Sequence, residues 1–389
     1  MRHFAAVPGS DPDIHEHLML VVNADWFFLS HRLPLAKEAL RRGWRVTLVA
    51  SDTGSADLVR AEGIDFVDLP VSRSGTNPLR EIQTVAFLAR LYRRLRPSLI
   101  HHVTLKPVVY GSLASRSTPD VPVVNAVSGL GYTFISKASW HPLRLVVQQL
   151  YALALRRRHL WTIFQNDDDL AHFVDDGLVD PDGAILIRGS GVDVQRFTPT
   201  AELSGAPVVV LPARLLRDKG VVEFVEAARQ LRAEGSPARF ALVGMLDPDN
   251  PAGIDEATVE RWVATGDIEW WGFRDDMPEV YRQATVVVLP SYREGLPKAL
   301  LEAGASARTL ITTDVPGCRD VVTDDETGLV VPVRDASALA GALRRVLGDS
   351  ALRGRLRAAA RENVVAHHTI EHIVEAHFSA YERILHSAR

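Results

Sequence analysis

Short apolar runs punctuate this chain at regular intervals, and between them the apolar positions fall three and four residues apart. The runs read as buried strands and the intervening segments as helices with one apolar stripe. In the first half the predicted strands are 18–22, 45–50, 64–68, 98–103, 121–126, 161–165 and 184–188. The second half offers 207–212, 239–243, 267–271, 284–289, 308–313 and 329–332. Runs such as Val208-Val209-Val210-Leu211 are apolar on every position, as strands covered on both faces must be. Strand and helix alternate throughout, so the expected class is α/β, with two parallel sheets in series forming two doubly wound lobes. Between them, 188–205 and its border carry Gly189, Gly191, Pro199, Ser204, Gly205 and Pro207, a breaker cluster expected of a hinge. The expected division is a flexible arm over 1–17, a first lobe over 18–188, a hinge over 189–205, a second lobe over 206–365 and a last helical stretch within 366–389, after a break at His367–Thr369. No internal repeat or low-complexity tract is visible.

Composition agrees with this division. A chain of 389 residues suits two or three domains, and 47% hydrophobic residues suffice for a core in each. Mean hydropathy is +0.01. The single cysteine, Cys318, excludes an internal disulfide framework and fits a reducing compartment. No apolar run reaches the length of a membrane span. The polar stretch 1–17 lacks the basic start and apolar centre of a secretory signal, so a cytoplasmic location is expected.

The net charge of −4 hides an asymmetry. Between Ile82 and Asn166 the only acid is Asp120, against eleven Lys or Arg residues; elsewhere 33 basic residues face 47 acidic ones. Arg90, Arg93, Arg94, Lys137, Trp140 and Arg144 belong to this basic, aromatic-bearing segment, along with Phe87, Tyr92, Phe134 and Tyr151. Such a surface is expected to lie on an anionic membrane, here its inner face, rather than on nucleic acid. The competing reading is an ordinary solvated helix face, with Arg156 to Arg158 capping a helix carboxyl end.

Two loops carry the candidate chemistry. After the strand at 284–289 come Glu294, Gly295, Leu296, Pro297 and Lys298, and Glu302 follows eight residues after Glu294. Pro297 is expected at the first helical position, where its missing N–H costs nothing. The helix start then presents free N–H groups to an anion. Carboxylates on either side suit sugar hydroxyls, so the pattern suggests a nucleotide sugar; exposed acids on a plain helix are the alternative. After the strand at 207–212, Arg214, Lys219 and Gly220 occupy the loop at a strand's carboxyl end, where open α/β sheets bind ligands. Arg supplies a planar fork for phosphate and Lys a mobile point charge. No cluster has metal-ligand spacing, and no cofactor is expected.

Together these elements resemble the retaining glycosyltransferases of family four, which have the GT-B fold of two Rossmann-like lobes around a cleft. That family pairs an R-x4-K-G element with an E-x7-E element, here Arg214, Lys219 and Gly220 with Glu294 and Glu302. Gly189-Ser190-Gly191-Val192-Asp193 with Phe197 and Pro199, the pairs Val243-Gly244 and Gly272-Phe273, Gly317 and the run Thr327 to Pro332 fit the same family. Ser128, Gly129, Leu130, Gly131, Tyr132 and Phe134 resemble the bacterial subgroup that extends polyprenyl-diphosphate-linked saccharides, as does Phe164 to Asp168. The chain departs from the family at its first strand, where Asn23 to Phe28 replace a glycine pair, leaving Asn23, His31 or Arg32 as substitutes.

The resemblance implies metal-independent transfer of a sugar, most commonly from a UDP sugar, with retained configuration. Arg214, Lys219 and Lys298 would neutralise the leaving diphosphate with the helix start near Gly295, Leu296 and Pro297. Glu302 would hold ribose hydroxyls and Glu294 sugar hydroxyls, beside Gly244 and Phe273. In the first lobe Ser128, Gly129, Gly131, Tyr132 and Lys106 would face the acceptor, and His102, at the carboxyl end of its strand, is a further catalytic candidate because alternation turns one of His101 and His102 outward. The alternatives are a soluble acceptor, a nucleotide-sugar 2-epimerase and an inactive scaffold.

Overall fold

The computed structural model describes residues 16–70, 78–127 and 151–388. Its first sheet contains β1 (His17–Ala24), β2 (Arg45–Ser51), β3 (Asp65–Asp68), β4 (Leu99–Val103), β5 (Val123–Val127), β6 (Leu160–Phe164) and β7 (Ala184–Leu186). Its second contains β8 (Val208–Pro212), β9 (Arg239–Val243), β10 (Glu269–Trp270), β11 (Val286–Leu289), β12 (Thr309–Thr313) and β13 (Leu329–Val331). Every pair is parallel. The spatial orders are β3-β2-β1-β4-β5-β6-β7 and β10-β9-β8-β11-β12-β13. Both sheets reverse winding direction, between β1 and β4 in the first and between β8 and β11 in the second. These switch points are where strand-end loops diverge and leave a crevice.

All thirteen expected strands form, with shorter ends in places. The run 284–289 begins as a strand only at Val286, because Ala284 caps the preceding helix Met277–Gln283. The run 267–271 keeps only Glu269–Trp270 at the sheet edge, where one neighbour holds it.

Helices cover both faces. In the second lobe one layer packs Phe224, Leu231 and Leu343 against Val209, Leu211 and Val288, while the opposite layer packs Tyr281, Leu300 and Val364 against Val210 and Val287. The helix Ser350–His367 ends at His368, and the next, Ile370–Ala388, lies on the first lobe. There Ile373, Phe378, Tyr381 and Ile384 join Leu18, Leu20, Leu48 and Val103 in one core. At that crossing Gly191 (φ +74) lies so close to Ile370 that a Cβ would stand 2.7 Å from its Cα. The residue His17, expected in the arm, is the first residue of β1 and donates or accepts a 2.8 Å bond with Thr47.

Candidate active site at the second switch point

The loops after β8 and β11 meet because their strands are neighbours. Gly220, at φ +71, starts the helix Val221–Ala233, and a Cβ there would lie 2.1 Å from Pro290 O. The Tyr292 N–H donates to Asp218 O at 2.8 Å, joining the loops through their backbones. This brings Lys219 Nζ to 2.6 Å from Glu294 Oε1, which also accepts from Ser291 Oγ at 2.7 Å. Both charged side chains are mostly enclosed, at 21% and 13% exposure. The two motifs therefore form one site.

Pro297 is the N-cap and the helix is Lys298–Ala305, starting one residue later than expected. The N–H groups of Leu300 and Leu301 fold back onto Pro297 O. Among the described residues those of Gly295, Leu296, Lys298 and Ala299 have no acceptor. They form the expected anion-receptive edge beside Lys219. Gly317, at φ +78, backs the loop, and a Cβ on it would stand 2.3 Å from Gly295 O.

Glu302 lies one turn into this helix, enclosed rather than exposed, accepting from Tyr281 Oη at 3.1 Å with Lys298 Nζ at 3.6 Å. Burial pushes its carboxyl above the ordinary range, against the pull of Lys298 and Tyr281. Burial likewise pushes the Cys318 thiol up to about 12, so it is an inert core group. Arg214 is exposed and held by Asp247 at 2.6 Å, at the rim and not on Glu294. Gly244, where a Cβ would meet Ala213 O at 1.8 Å, lets the β8 and β9 loops touch, and its N–H donates to Gly272 O at 2.8 Å. Phe273 beyond it is 65% exposed. Lys298 Nζ crosses between lobes to Ser30 O at 3.0 Å.

The first lobe corrects several expectations. His102 does not reach a cleft: its Nδ1 bonds Asn125 Oδ1 at 2.8 Å, its Nε2 faces Tyr92 Oη at 3.0 Å, and it is fully buried. Gly111 makes room for the ring, since a Cβ there would lie 2.3 Å from Nε2. Burial lowers this imidazole to about 4. Alternation did separate the two histidines, but a sheet covered on both faces has no outer side, and His101 is buried against Tyr381. Arg32 also lies inside, 2% exposed, and its environment of Tyr381, His377 and His101 places it under the last helix instead of at the acceptor. Lys106 is paired with Glu81 at 2.9 Å.

His31 does border the cleft; it stacks on Phe27 at 4.3 Å, and burial, with Lys298 and Arg32, lowers it to about 3. Asn23 stands at the end of β1. Its buried Oδ1 has no partner among the described residues, and neither has Thr104 Oγ1 at the end of β4, a residue held at φ +76. These two flank the first switch point, and nothing in the sequence marks Thr104. Asp25 likewise has no sequence pattern to mark it. Burial pushes its carboxyl up, but hydrogen bonds from Thr53, Ser55 and Trp26 outweigh that and hold it below the usual range, fixing the loop after β2.

Ser128, Gly129, Gly131, Tyr132, Lys137, Trp140 and Arg144 lie outside the described residues. On the helix Pro78–Leu95, Leu88, Leu91 and Tyr92 face the core while Arg90, Arg93 and Arg94 are exposed. Among the described residues no helix is long and apolar enough to cross a membrane, and no group of three or more His, Cys, Asp or Glu could hold a metal ion.

Comparisons with known proteins converge on one family. Residues 206–349 match the model described as glycosyl transferases group 1, and residues 17–166 match glycosyl transferase 4-like. Over 381 residues the chain is 26% identical to the Campylobacter jejuni N,N'-diacetylbacillosaminyl-diphospho-undecaprenol alpha-1,3-N-acetylgalactosaminyltransferase, covering 92% of this chain and 98% of that one. It is 22% identical to the Escherichia coli UDP-Gal:alpha-D-GlcNAc-diphosphoundecaprenol alpha-1,3-galactosyltransferase, over 79% of this chain and 81% of the other. Among solved structures, a sucrose-phosphate synthase from Thermosynechococcus elongatus superposes with a TM-score of 0.80 at 20% identity, covering 96% of this chain and all of that one.

Proposed function

From its membership of the GT4-like, group 1 glycosyltransferases, to which the chain belongs, we propose that it transfers a sugar from a UDP-type nucleotide sugar to a polyprenyl-diphosphate-linked saccharide, with retained configuration and without a metal ion. One observation carries the reading: the Lys219–Glu294 pair at the β8–β11 switch point, 2.6 Å apart beside unpaired helix-start N–H groups. A donor diphosphate arriving there finds Lys219, Lys298 and the free N–H groups of Gly295, Leu296, Lys298 and Ala299. It draws Lys219 off Glu294, and Oε1 becomes an acceptor for a sugar hydroxyl. Charge developing on the leaving diphosphate is then met by groups already in place, the electrostatic term that dominates many such reactions. Because the chain supplies these cations itself, no divalent ion is needed for that task. Glu302, close by on the same helix, takes the ribose hydroxyls, and Arg214 at the rim exchanges Asp247 for phosphate. The acceptor is placed on the first lobe, with Asn23 and Thr104 offering the polar atoms there.

The lipid-linked acceptor draws support from the undecaprenol-linked substrates named for the Campylobacter and Escherichia relatives, and from the outward arginines 90, 93 and 94. Contact with the inner face of an anionic membrane follows, each arginine near the surface contributing about 1 kcal/mol. The test is nucleotide release from a panel of UDP and GDP sugars, with and without a polyprenyl-diphosphate-linked saccharide in detergent, in EDTA, with the product anomer read by NMR. Lipid-dependent release into an α-linked product supports the proposal. Release without lipid indicates a soluble acceptor, a changed sugar without release an epimerase, and no turnover on any donor a scaffold.

A further inference from the structure

The helix Asp167–Asp175, which follows β6 in the first lobe, opens with three consecutive acids, and each meets an arginine. Asp167 pairs with Arg188 at 2.6 Å, Asp168 with Arg319 at 2.8 Å, and Asp169 with Arg293. The two outer pairs are substantially exposed and contribute little. The inner contacts differ. Asn166 and Asp169 are both fully buried. Asn166 Oδ1 caps the helix by accepting from the Asp169 N–H at 2.8 Å, while its Nδ2 donates to Gly295 O at 2.9 Å and to Asp169 Oδ2 at 3.1 Å. The amide does both through separate atoms: a hydroxyl, one bond shorter, keeps the cap but stops short of Gly295 O, and a carboxylate would stand against Asp169.

The residues gripped, Arg293 and Gly295, are the immediate neighbours of Glu294. Holding Gly295 O also fixes the next N–H, because C=O and N–H of a trans peptide point in opposite directions. The Leu296 N–H is thereby turned away from the first lobe, and it is one of those left without an acceptor. Gly317 closes the loop from behind. The conformation of the Glu294 loop, on the second lobe, is thus set by side chains of the first.

We propose that Asn166 and Asp169 are positioning residues, which give the Glu294–Leu296 loop its donor-binding form only when the lobes are together. This rests on the functional reading above, and it makes engagement of the donor sugar dependent on lobe closure. Without the clasp, nucleotide binding keeps Lys219, Lys298 and Glu302 and gives up at most the Leu296 N–H; recognition of the sugar through Glu294 depends on the clasp in full.

The decisive variants are Asn166→Ser and Asn166→Thr, whose short hydroxyls retain a capping oxygen and stop short of Gly295 O. Binding of UDP and of the active UDP sugar is measured, together with donor kcat/KM. UDP affinity is expected to fall by no more than about fivefold, the share of the single Leu296 N–H, while donor kcat/KM falls about 10- to 100-fold through misplacement of Glu294. Wild-type donor kcat/KM in both variants overturns the proposal, as does an equal fall in UDP affinity, which indicates general damage. Hydrogen exchange across residues 292–301, where Tyr292 N–H donates to Asp218 O and those of Leu300 and Leu301 donate to Pro297 O, gives an independent readout. Faster exchange there in Asn166→Ser, with β11 unchanged, supports the clasp, and unchanged exchange overturns it. If the wild type turns over no nucleotide sugar, the functional reading fails while the exchange result still decides the clasp.

Discussion

Lys219 Nζ and Glu294 Oε1, 75 residues apart in sequence, lie 2.6 Å apart across the reversal point of the second sheet. Neither loop is remarkable by itself; adjacency of β8 and β11 makes them one site. The pair satisfies both charges in the resting protein, so the site stays ordered without a ligand. Under the proposed function, a diphosphate has to break that pair to bind, and the freed carboxylate is then available to the sugar.

Lys219→Ala and Glu294→Gln are each expected to lower kcat by about 100- to 1000-fold, the scale of removing one preorganised charged group. The melting temperature should fall by several degrees, since an enclosed partner left unpaired costs about 1–3 kcal/mol, too little to unfold the protein and less than the loss of turnover. Nucleotide release and a thermal scan on the same preparations check this. A large fall in melting temperature with proportionate loss of activity would assign the pair to folding instead.

Gly220→Ala and Gly317→Ala test whether loop spacing matters independently of charge. Each glycine has positive φ, and an added Cβ would stand 2.1 Å from Pro290 O or 2.3 Å from Gly295 O. Both changes should cost about 1–3 kcal/mol and lower activity at temperatures where the protein remains folded. Activity equal to wild type after either change would show that the loops tolerate displacement.

Glu302→Gln separates affinity from stability. Burial raises the folded carboxyl above its ordinary value. The folded state therefore holds its proton to higher pH than the unfolded state. Its contribution is greatest at low pH and is lost as pH rises from the unfolded value through the folded one. Glutamine keeps an acceptor for Tyr281 and never ionises. Relative to wild type, the variant's melting temperature should rise between pH 4 and pH 7, while affinity for UDP falls about fivefold to tenfold with the lost charged acceptor. A melting-temperature difference that is flat with pH would contradict the assignment.

The strands were legible because parallel strands buried on both faces are apolar at every position, as Val286 to Leu289 are. The switch-point site was legible because its residues sit at fixed offsets from such strands. What escaped depends on distant contacts. Asp25 bonds Thr53 and Ser55, and Asp169 meets Arg293 across 124 positions, with no local pattern to announce either. Arg32 and His102 misled for the opposite reason. A polar residue past a strand end suggests a cleft, yet Tyr92 encloses His102 at the end of β4, and Tyr381 of the last helix lies over Arg32, at the junction of the helices Asp25–His31 and Leu33–Arg41. Thr104 is marked only by its φ of +76, which periodicity does not encode.

His102→Gln is the clearest test of that enclosure. A histidine in the cleft would govern turnover, whereas one enclosed by Tyr92 and Asn125 should leave kcat within about threefold and lower stability by about 1–2 kcal/mol through weakened buried hydrogen bonds. The pH dependence discriminates further. Burial holds the folded imidazole near 4, below its ordinary 6.5, so the unfolded chain takes up a proton that the folded chain refuses. Wild-type stability therefore declines as pH falls from 6.5 toward 4, and this group's share of the decline is absent in the glutamine variant. The melting-temperature gap between the two proteins should narrow from pH 7.5 to pH 5. Burial likewise depresses His377 and His368, so the variant still loses stability in acid, by less than wild type. A gap that widens in acid would place a charged imidazole at position 102 and return it to the list of catalytic candidates.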